Sequence, residues 1–445
     1  MTAAGARPGD AGTTSVTVAD AGAVAAPRRL AVAGPRGLAA GEPDADPPHV
    51  TVVGVDAAGN PPPPAAAGVL ARAGLVVGAA RHLAAVPVPA GAETVVLGPL
   101  APALDRLAAV AAATPAVVLA SGDPGLFGIV RRLRAAGLPV RVLPAVSSVA
   151  AAFARAGLPW DGAVVVTAHG RDPRPALNAA RALPLVAVLT APGAGAAELG
   201  AGLVGWPRRL VVAEHLGTGA ERVTWTTPAE AATRSWTDPH VLLSVGEPPD
   251  GMRVDNQPAA APAGGWALPE SAYAHRDSMI TKAEVRALVV ARLRPRLGRL
   301  VWDVGAGSGS VGIECALLGA AVVAVERDPA AADLVRANAA RHAVDVRVVC
   351  GGAPDALAGL PEPDAVFVGG GGTDVLAAVA ARRPARVVVA LAALDRVAPA
   401  RNLLRDAGYA VEGVQLSAAR LADLPGGSVR LAATNPVVVL TGERP

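Results

Sequence analysis

Three glycines at alternate positions, Gly305, Gly307 and Gly309, follow the apolar run Leu300-Val-Trp-Asp303-Val and enclose Ser308. Glycines so spaced let a backbone turn come close to a ligand and aim peptide N–H groups at it from a helix start. Alone, such a turn is shared by nicotinamide, flavin and methyl-donor sites. Two carboxylates narrow it. Asp303 directly precedes the glycines, and Glu326 ends the next apolar run, where a carboxylate can accept both hydroxyls of a ribose. The bland alternative is a glycine-rich turn beside a solvated Glu.

Further groups belong to the same half. Gly351-Gly352-Ala353-Pro354 follows a third apolar run, and Gly369, Gly370 and Gly371 end a fourth, where missing side chains keep a cleft open. Upstream, Thr281 and Glu284 have capping-box spacing, which predicts a helix start at Thr281 and is a sufficient structural reason for the segment. Lys282 is the only lysine among 40 Lys and Arg residues. Where arginine has replaced lysine elsewhere, a retained ammonium reads as a point charge for a carboxylate of the substrate or the donor.

The first half offers small polar groups. Gly54 ends an early strand, Ser121-Gly122-Asp123-Pro124 ends another, and Ser147-Ser148 opens a helix. Such strand ends suit a ligand held by backbone groups and hydroxyls in a cleft. His169 reads as a proton carrier or a positioning donor. Arg171 either pairs with Asp172 or Asp123 or captures a substrate carboxylate.

Apolar runs of strand length must place these groups. They fall at 50–55, 75–79, 94–98, 117–120, 140–143, 163–167, 185–189, 208–213 and 240–245, alternating with Ala/Leu/Arg stretches of helical spacing. A second series falls at 300–304, 322–326, 346–350, 364–369, 386–391, 410–416 and 436–441. Both read as parallel-rich α/β. The expected organisation is a disordered extension at 1–48, a domain at 49–246, a Pro/Gly-rich linker at 247–268 and a second domain at 269–445.

Composition excludes little and sharpens one point. Arginine, Ala, Gly 50 and Pro 41 are favoured together, and their shared GC-rich codons point to mutational bias. The 445 residues carry 40 basic against 37 acidic side chains, with no basic run to follow a nucleic-acid backbone, so a nucleic-acid partner is not expected. Mean hydropathy is +0.40, yet the charge-free stretches are short or broken by proline, so no membrane span is expected and the cytoplasm is the expected location. Cys315 and Cys350 read as small core residues of a reducing compartment. Arg28-Arg29 lacks the apolar stretch of an export signal. No metal-ligand cluster is expected.

The Asp-x-Gly-x-Gly-x-Gly run with Glu326 resembles class I S-adenosylmethionine methyltransferases. With Ile-Thr-Lys-x-Glu-Val-Arg, Ala-Pro and Asp-Ala-Val-Phe-Val-Gly-Gly-Gly, residues 268–442 resemble the decarboxylating precorrin-6B (C15) methyltransferases. The resemblance implies Asp303, Gly305, Gly307, Ser308, Gly309, Glu326 and Ala353 at the methyl donor, and Thr281, Lys282, Arg286 and Gly369 to Gly371 at the substrate, with Lys282 also a catalytic candidate. Gly352 stands where that family has an acidic residue. Ser-Gly-Asp-Pro-Gly-x-Phe-Gly and His-Gly-Arg, over 49–246, resemble the tetrapyrrole methylases, and Ala-Phe-Ala-Arg-x-Gly-Leu-Pro-Trp narrows this to the C5-methylating branch. There the resemblance implies Gly54, Gly122, Asp123, Pro124, Ser147 and Ser148 at a second donor site, and His169 and Arg171 in catalysis, with Arg171 also binding substrate. Asp56 and Ala58 depart from that family's first turn, and the prolines at 61–64 follow it.

The fused order resembles the decarboxylating precorrin-6Y C5,15-methyltransferase family. It implies a class III tetrapyrrole methylase fold of two α/β subdomains, then a class I Rossmann-like domain with a seven-stranded sheet. It also implies two S-adenosylmethionine sites, precorrin-6B as substrate, precorrin-8 as product and self-association. Two rivals stay open: a cobalt-loaded substrate, and an N-terminal half that only binds.

Overall fold

A computed structural model describes residues 50–56, 64–110, 114–246, 266–276 and 280–444. The expected extension, residues 57–63 of the first turn, 247–265 of the expected linker and Met279 lie outside them.

Val-rich runs pack as a parallel sheet of β1 (Val50–Val55), β2 (Leu75–Gly78), β3 (Glu93–Val96), β4 (Ala116–Ser121) and β5 (Val140–Leu143), in the order β3-β2-β4-β1-β5. Every residue of β1 is buried, because neighbouring strands and helices on both faces cover it. A second sheet holds β6 (Val164–Thr167), β7 (Leu185–Leu189), β8 (Arg208–Glu214), β9 (Arg222–Thr226) and β10 (His240–Gly246), in the order β6-β7-β10-β8-β9. Only its β6–β7 pair is parallel. Together these are the two α/β subdomains expected of the first half.

The third sheet is seven-stranded. It holds β11 (Leu300–Val304), β12 (Ala321–Glu326), β13 (Arg347–Cys350), β14 (Ala365–Val368), β15 (Arg386–Leu391), β16 (Ala410–Leu416) and, after a hairpin of β17 (Ala419–Asp423) and β18 (Val429–Ala433), β19 (Val437–Glu443). The order is β13-β12-β11-β14-β15-β19-β16, with β19 antiparallel to both neighbours. Strands β11, β12 and β14 therefore end side by side, which gathers the glycine turn, Glu326 and the Gly369 run at one edge.

Three strands were not expected from the apolar runs. β9, β17 and β18 are mixed polar segments without a continuous apolar run. Cys350 corrects another expectation: it is exposed at the end of edge strand β13, where no further strand covers it, whereas Cys315 is buried.

The two halves meet through helix Arg174–Ala182 and the loop before β8. Asn178 Nδ2 donates to the Gly298 carbonyl at 3.1 Å, and buried Arg208 reaches Asp345 Oδ2 at 2.7 Å. Two guanidiniums lie over the Trp206 ring, Arg181 at 4.5 Å and Arg347 at 5.0 Å from its centroid, and the indole packs into the core of the third sheet. Burial, then the nearby Arg347 and Arg174, lower the Arg181 guanidinium to about 10, which leaves it charged at neutral pH.

Candidate functional site

The turn after β11 has Gly305, Gly307 and Gly309 at φ +73°, +57° and +76°, a region that side chains disfavour. A Cβ on Gly305 would lie 2.8 Å from Gly370 N, so the ends of β11 and β14 touch through bare backbone. A Cβ on Gly307 would meet open space. Beside the turn lies a cleft of about 520 Å³ lined by Gly305, Glu326, Ala353, Gly370, Gly371 and Arg396, among others. The volume falls within the range of about 300–1,000 Å³ usual for small-molecule sites.

Glu326 Oε2 accepts from Gly307 N at 2.8 Å, and its Oε1 accepts from Asp328 N at 3.0 Å. Each oxygen keeps a lone pair for a ligand hydroxyl. Bare backbone, an open cradle and a fixed carboxylate fit a nucleoside-bearing donor such as S-adenosylmethionine. Arg327 and Arg396 line the cleft too, and sequence reasoning singled out neither. Arg396 belongs to a single helical turn after β15, with no motif around it.

Several expected residues serve elsewhere. Asp303, expected at the donor, is fully buried beneath the turn, where its Oδ2 accepts from Gly312 N at 2.8 Å and ties strand to helix. Desolvation, with Glu326 adding to it, raises its carboxyl to about 7 against the bond from Gly312. Arg286, expected at the substrate, is also fully buried. Its Nε donates to Glu314 at 2.6 Å, its Nη1 to the Thr281 carbonyl at 2.7 Å and its Nη2 to the Leu268 carbonyl. Glu314 further accepts from the Ala267 and Leu268 amides and Tyr273 Oη, so an unpaired charge is avoided.

The capping box is corrected as well. Helix Ala283–Leu293 starts after Lys282, whose extended backbone occupies the N-cap position without a side-chain bond, while Ala283 N donates to Glu270 instead. Glu284 binds Arg420 of β17, which also reaches Glu270 and draws the carboxylate away from the cap. Thr281 contributes its carbonyl to Arg286. Lys282 is half-buried, and its ammonium has no protein partner among the described residues. Ser308 and Gly309 lead into helix Ser310–Leu317, and Ser308 offers its carbonyl to Asn338 at 2.9 Å.

In the first half, Gly54 and Gly122 bring the ends of β1 and β4 together. A Cβ on Gly54 would lie 2.2 Å from the Gly122 carbonyl oxygen and 2.4 Å from Ala145 N. Gly122 has φ +59° and donates to the Val55 carbonyl at 2.7 Å. Asp123 Oδ1 accepts from Gly125 N at 2.8 Å, shaping the turn around buried Pro124. Ser147 caps helix Ser148–Ala156 by accepting from Ala150 N at 3.1 Å. These groups converge on the carboxyl edge of the parallel sheet, where ligands of such folds bind.

His169 and Arg171 lie together on an exposed turn after β6, with Gly170 at φ +68°. Asp172 accepts from Arg174 N at 2.9 Å rather than from Arg171, and His169 N donates to Thr167 Oγ1 at 3.1 Å. The structure thus leaves Arg171 without an ion pair among the described residues. Sequence reasoning missed Arg81 and His82, which meet Ser121 at the end of β4; a His-Leu helix start carries no motif of its own.

Known proteins match both halves. The family described as Tetrapyrrole (Corrin/Porphyrin) Methylases matches residues 62–232, and that described as Precorrin methyltransferase domain matches 271–441. A Sinorhizobium protein named precorrin-6Y C(5,15)-methyltransferase [decarboxylating] is 39% identical over 323 residues, 68% of this chain and 74% of its own. A Mycobacterium tuberculosis protein of the same name is 36% identical over 271 residues, 58% of this chain and 64% of its own. A Pyrobaculum calidifontis protein named probable cobalt-precorrin-6B C(15)-methyltransferase (decarboxylating) is 36% identical over 184 residues, 39% of this chain and 94% of its own. With both halves matched in one order, and a relative covered over most of its length, the chain belongs to the family of decarboxylating precorrin-6Y C5,15-methyltransferases.

Proposed function

We propose that the chain methylates precorrin-6B at C5 and C15 and decarboxylates its ring C acetate, giving precorrin-8, with one S-adenosylmethionine site in each half. Residues 49–246 form the C5 domain and 269–445 the C15 and decarboxylating domain. The observation that carries this is the glycine cradle with Glu326 in a chain that also holds a tetrapyrrole methylase half.

When bound, the sulfonium donor supplies an electrophilic methyl group. The protein's part is to hold, orient and dry the reactants. The Gly305, Gly307 and Gly370 backbone receives the donor, Glu326 takes its ribose, and Ala353 lines the adenine side. Lys282, Arg327 and Arg396 supply cations for the carboxylates of the macrocycle. In the first half, Gly54, Gly122 to Pro124 and Ser147-Ser148 form the donor site, and Arg171 and His169 face the substrate. Decarboxylation draws on the conjugated macrocycle as its electron sink.

Mass spectrometry of the product from purified chain, precorrin-6B and S-adenosylmethionine tests the reading. Two added methyls with loss of carbon dioxide are expected, and no change in mass sinks it. The Pyrobaculum calidifontis relative is among those named for a cobalt-precorrin, which favours assaying the cobalt-loaded ring in parallel. We further propose a cytoplasmic homo-oligomer. Leu421 and Leu431, partners across the β17–β18 hairpin, are 75% and 68% exposed, an apolar face suited to a second copy.

A further inference from the structure

One polar cluster at the strand ends of the first sheet joins Ser121 of the Ser-Gly-Asp-Pro motif to two residues outside any motif, Arg81 and His82. His82 lies in helix Ala80–Ala85 after β2, and Ser121 ends β4, its neighbour in the sheet. His82 Nε2 is 2.9 Å from Ser121 Oγ. Arg81 reaches both, its Nε 3.3 Å from His82 Nε2 and its Nη2 3.1 Å from Ser121 Oγ.

A guanidinium can only donate. The Nε2 that faces it therefore presents a lone pair, and the ring proton sits on Nδ1, which is buried near the Leu119 backbone and makes no close hydrogen bond among the described residues. The Ser121 hydroxyl then donates to Nε2 and accepts from Arg81. Burial first, and Arg81 next, hold the imidazole below its ordinary value, so it is neutral at pH 7. The ring is buried whereas Ser121 is exposed, so the hydroxyl is the part of the relay presented at the strand ends.

We propose that Ser121, backed by His82, takes the proton that the tetrapyrrole sheds when C5 is methylated; this rests on the C5 assignment of the N-terminal half. A π pair at C5 forms the bond to the methyl carbon, and the pair of the broken C–S bond stays on sulfur. The macrocycle gains one positive charge. A ring N–H then passes its proton to Ser121 Oγ while the hydroxyl proton moves to His82 Nε2. The resulting imidazolium, next to Arg81, returns that proton to solvent. Ser121 is the catalytic residue here, and His82 is a positioning residue that acts through it.

The test uses the full chain with precorrin-6B and S-adenosylmethionine, following both methylations in one sample. His82→Gln still accepts from Ser121 but takes no proton, and Ser121→Ala removes the hydroxyl. Each is expected to lower kcat for C5 methylation about 100-fold with KM changed less than about twofold, and Ser121→Thr to recover most of the rate. C15 methylation and carbon dioxide release should continue, and the unchanged KM at the C5 site shows that the N-terminal site still forms. Should His82→Gln slow C15 turnover in parallel, exposed Ser121→Ala decides by the same criterion. A wild-type C5 rate in Ser121→Ala, or a change confined to KM, overturns the relay. A wild-type chain that adds only the C15 methyl overturns the C5 assignment itself, a different failure.

Discussion

Gly307 donates its N–H to Glu326 Oε2 across 2.8 Å, which joins the glycine turn and the acidic strand end into one hydrogen-bonded unit. Glu326→Ala removes both the ribose acceptor and the brace for the turn. A charge-assisted bond contributes about 1.5–3 kcal/mol, so KM for the donor at the C15 site should rise roughly 10-fold to 100-fold. C5 methylation should be unaffected. Isothermal titration with S-adenosylhomocysteine checks this, and two intact binding events in the variant would contradict it.

Lys282 and Arg396 are expected to act on the substrate rather than on the fold, since neither makes an ion pair among the described residues. Lys282→Arg keeps the charge but changes its shape and reach, and Arg396→Ala deletes the charge. Both should raise KM for the tetrapyrrole, Arg396→Ala by about 10-fold. Steady-state C15 kinetics decide, and an unchanged Lys282→Arg enzyme removes that residue's role.

Asp303 gives the C-terminal half a pH dependence of unusual sign. Its carboxyl is raised from 3.8 to about 7 in the fold, so the native state keeps a proton that the unfolded chain releases. Stability from this group therefore falls as pH rises from about 4 to about 7, by an upper figure of about 4 kcal/mol. Asp303→Asn cannot ionise. Thermal melts should show the variant gaining on the wild type across that window and no further above it.

Glu214 gives the opposite slope. Its burial would raise the carboxyl, but bonds from Arg222 and from the Thr237 amide and hydroxyl outweigh this and hold it at about 2. The stabilisation is present above about 4.5 and lost as pH falls toward 2. Glu214→Gln should cost about 2 kcal/mol at pH 7, a figure moderated by the half-exposed Arg222. The gap between the two melting curves should close as pH falls from 4.5 to 2.

Self-association through the β17–β18 hairpin is checked by light scattering after size exclusion. Leu421→Asp and Leu431→Asp together should shift the chain to a lower mass without loss of either methylation site's binding. An unchanged mass places the contact elsewhere.

Both folds and the C-terminal cleft were legible because their information is local. Gly305, Gly307 and Gly309 need positive φ, and the Val-rich strands need cover on two faces; both demands are written in adjacent residues. What was not legible depends on pairing over distance. Arg286 is drawn inward by Glu314, 28 residues away on another helix. Asp303 stands in a strand buried along its whole length, so no polar alternation tells which way it points. His82 and Ser121 are 39 residues apart and meet because the chain crosses over β2 after β3, so that β4 lies against the other side of β2. The hairpin strands lack the apolar runs that marked the others.

The Arg181–Trp206–Arg347 stack has a consequence for how the chain can be divided. Trp206 is supplied by the first half and completes the hydrophobic core of the second, with Arg208 and Asp345 closing the same seam. Proteolytic nicking between residues 247 and 265 would then release no separate enzymes. The two fragments should co-elute, and a C-terminal fragment expressed alone would carry an open socket where an indole belongs.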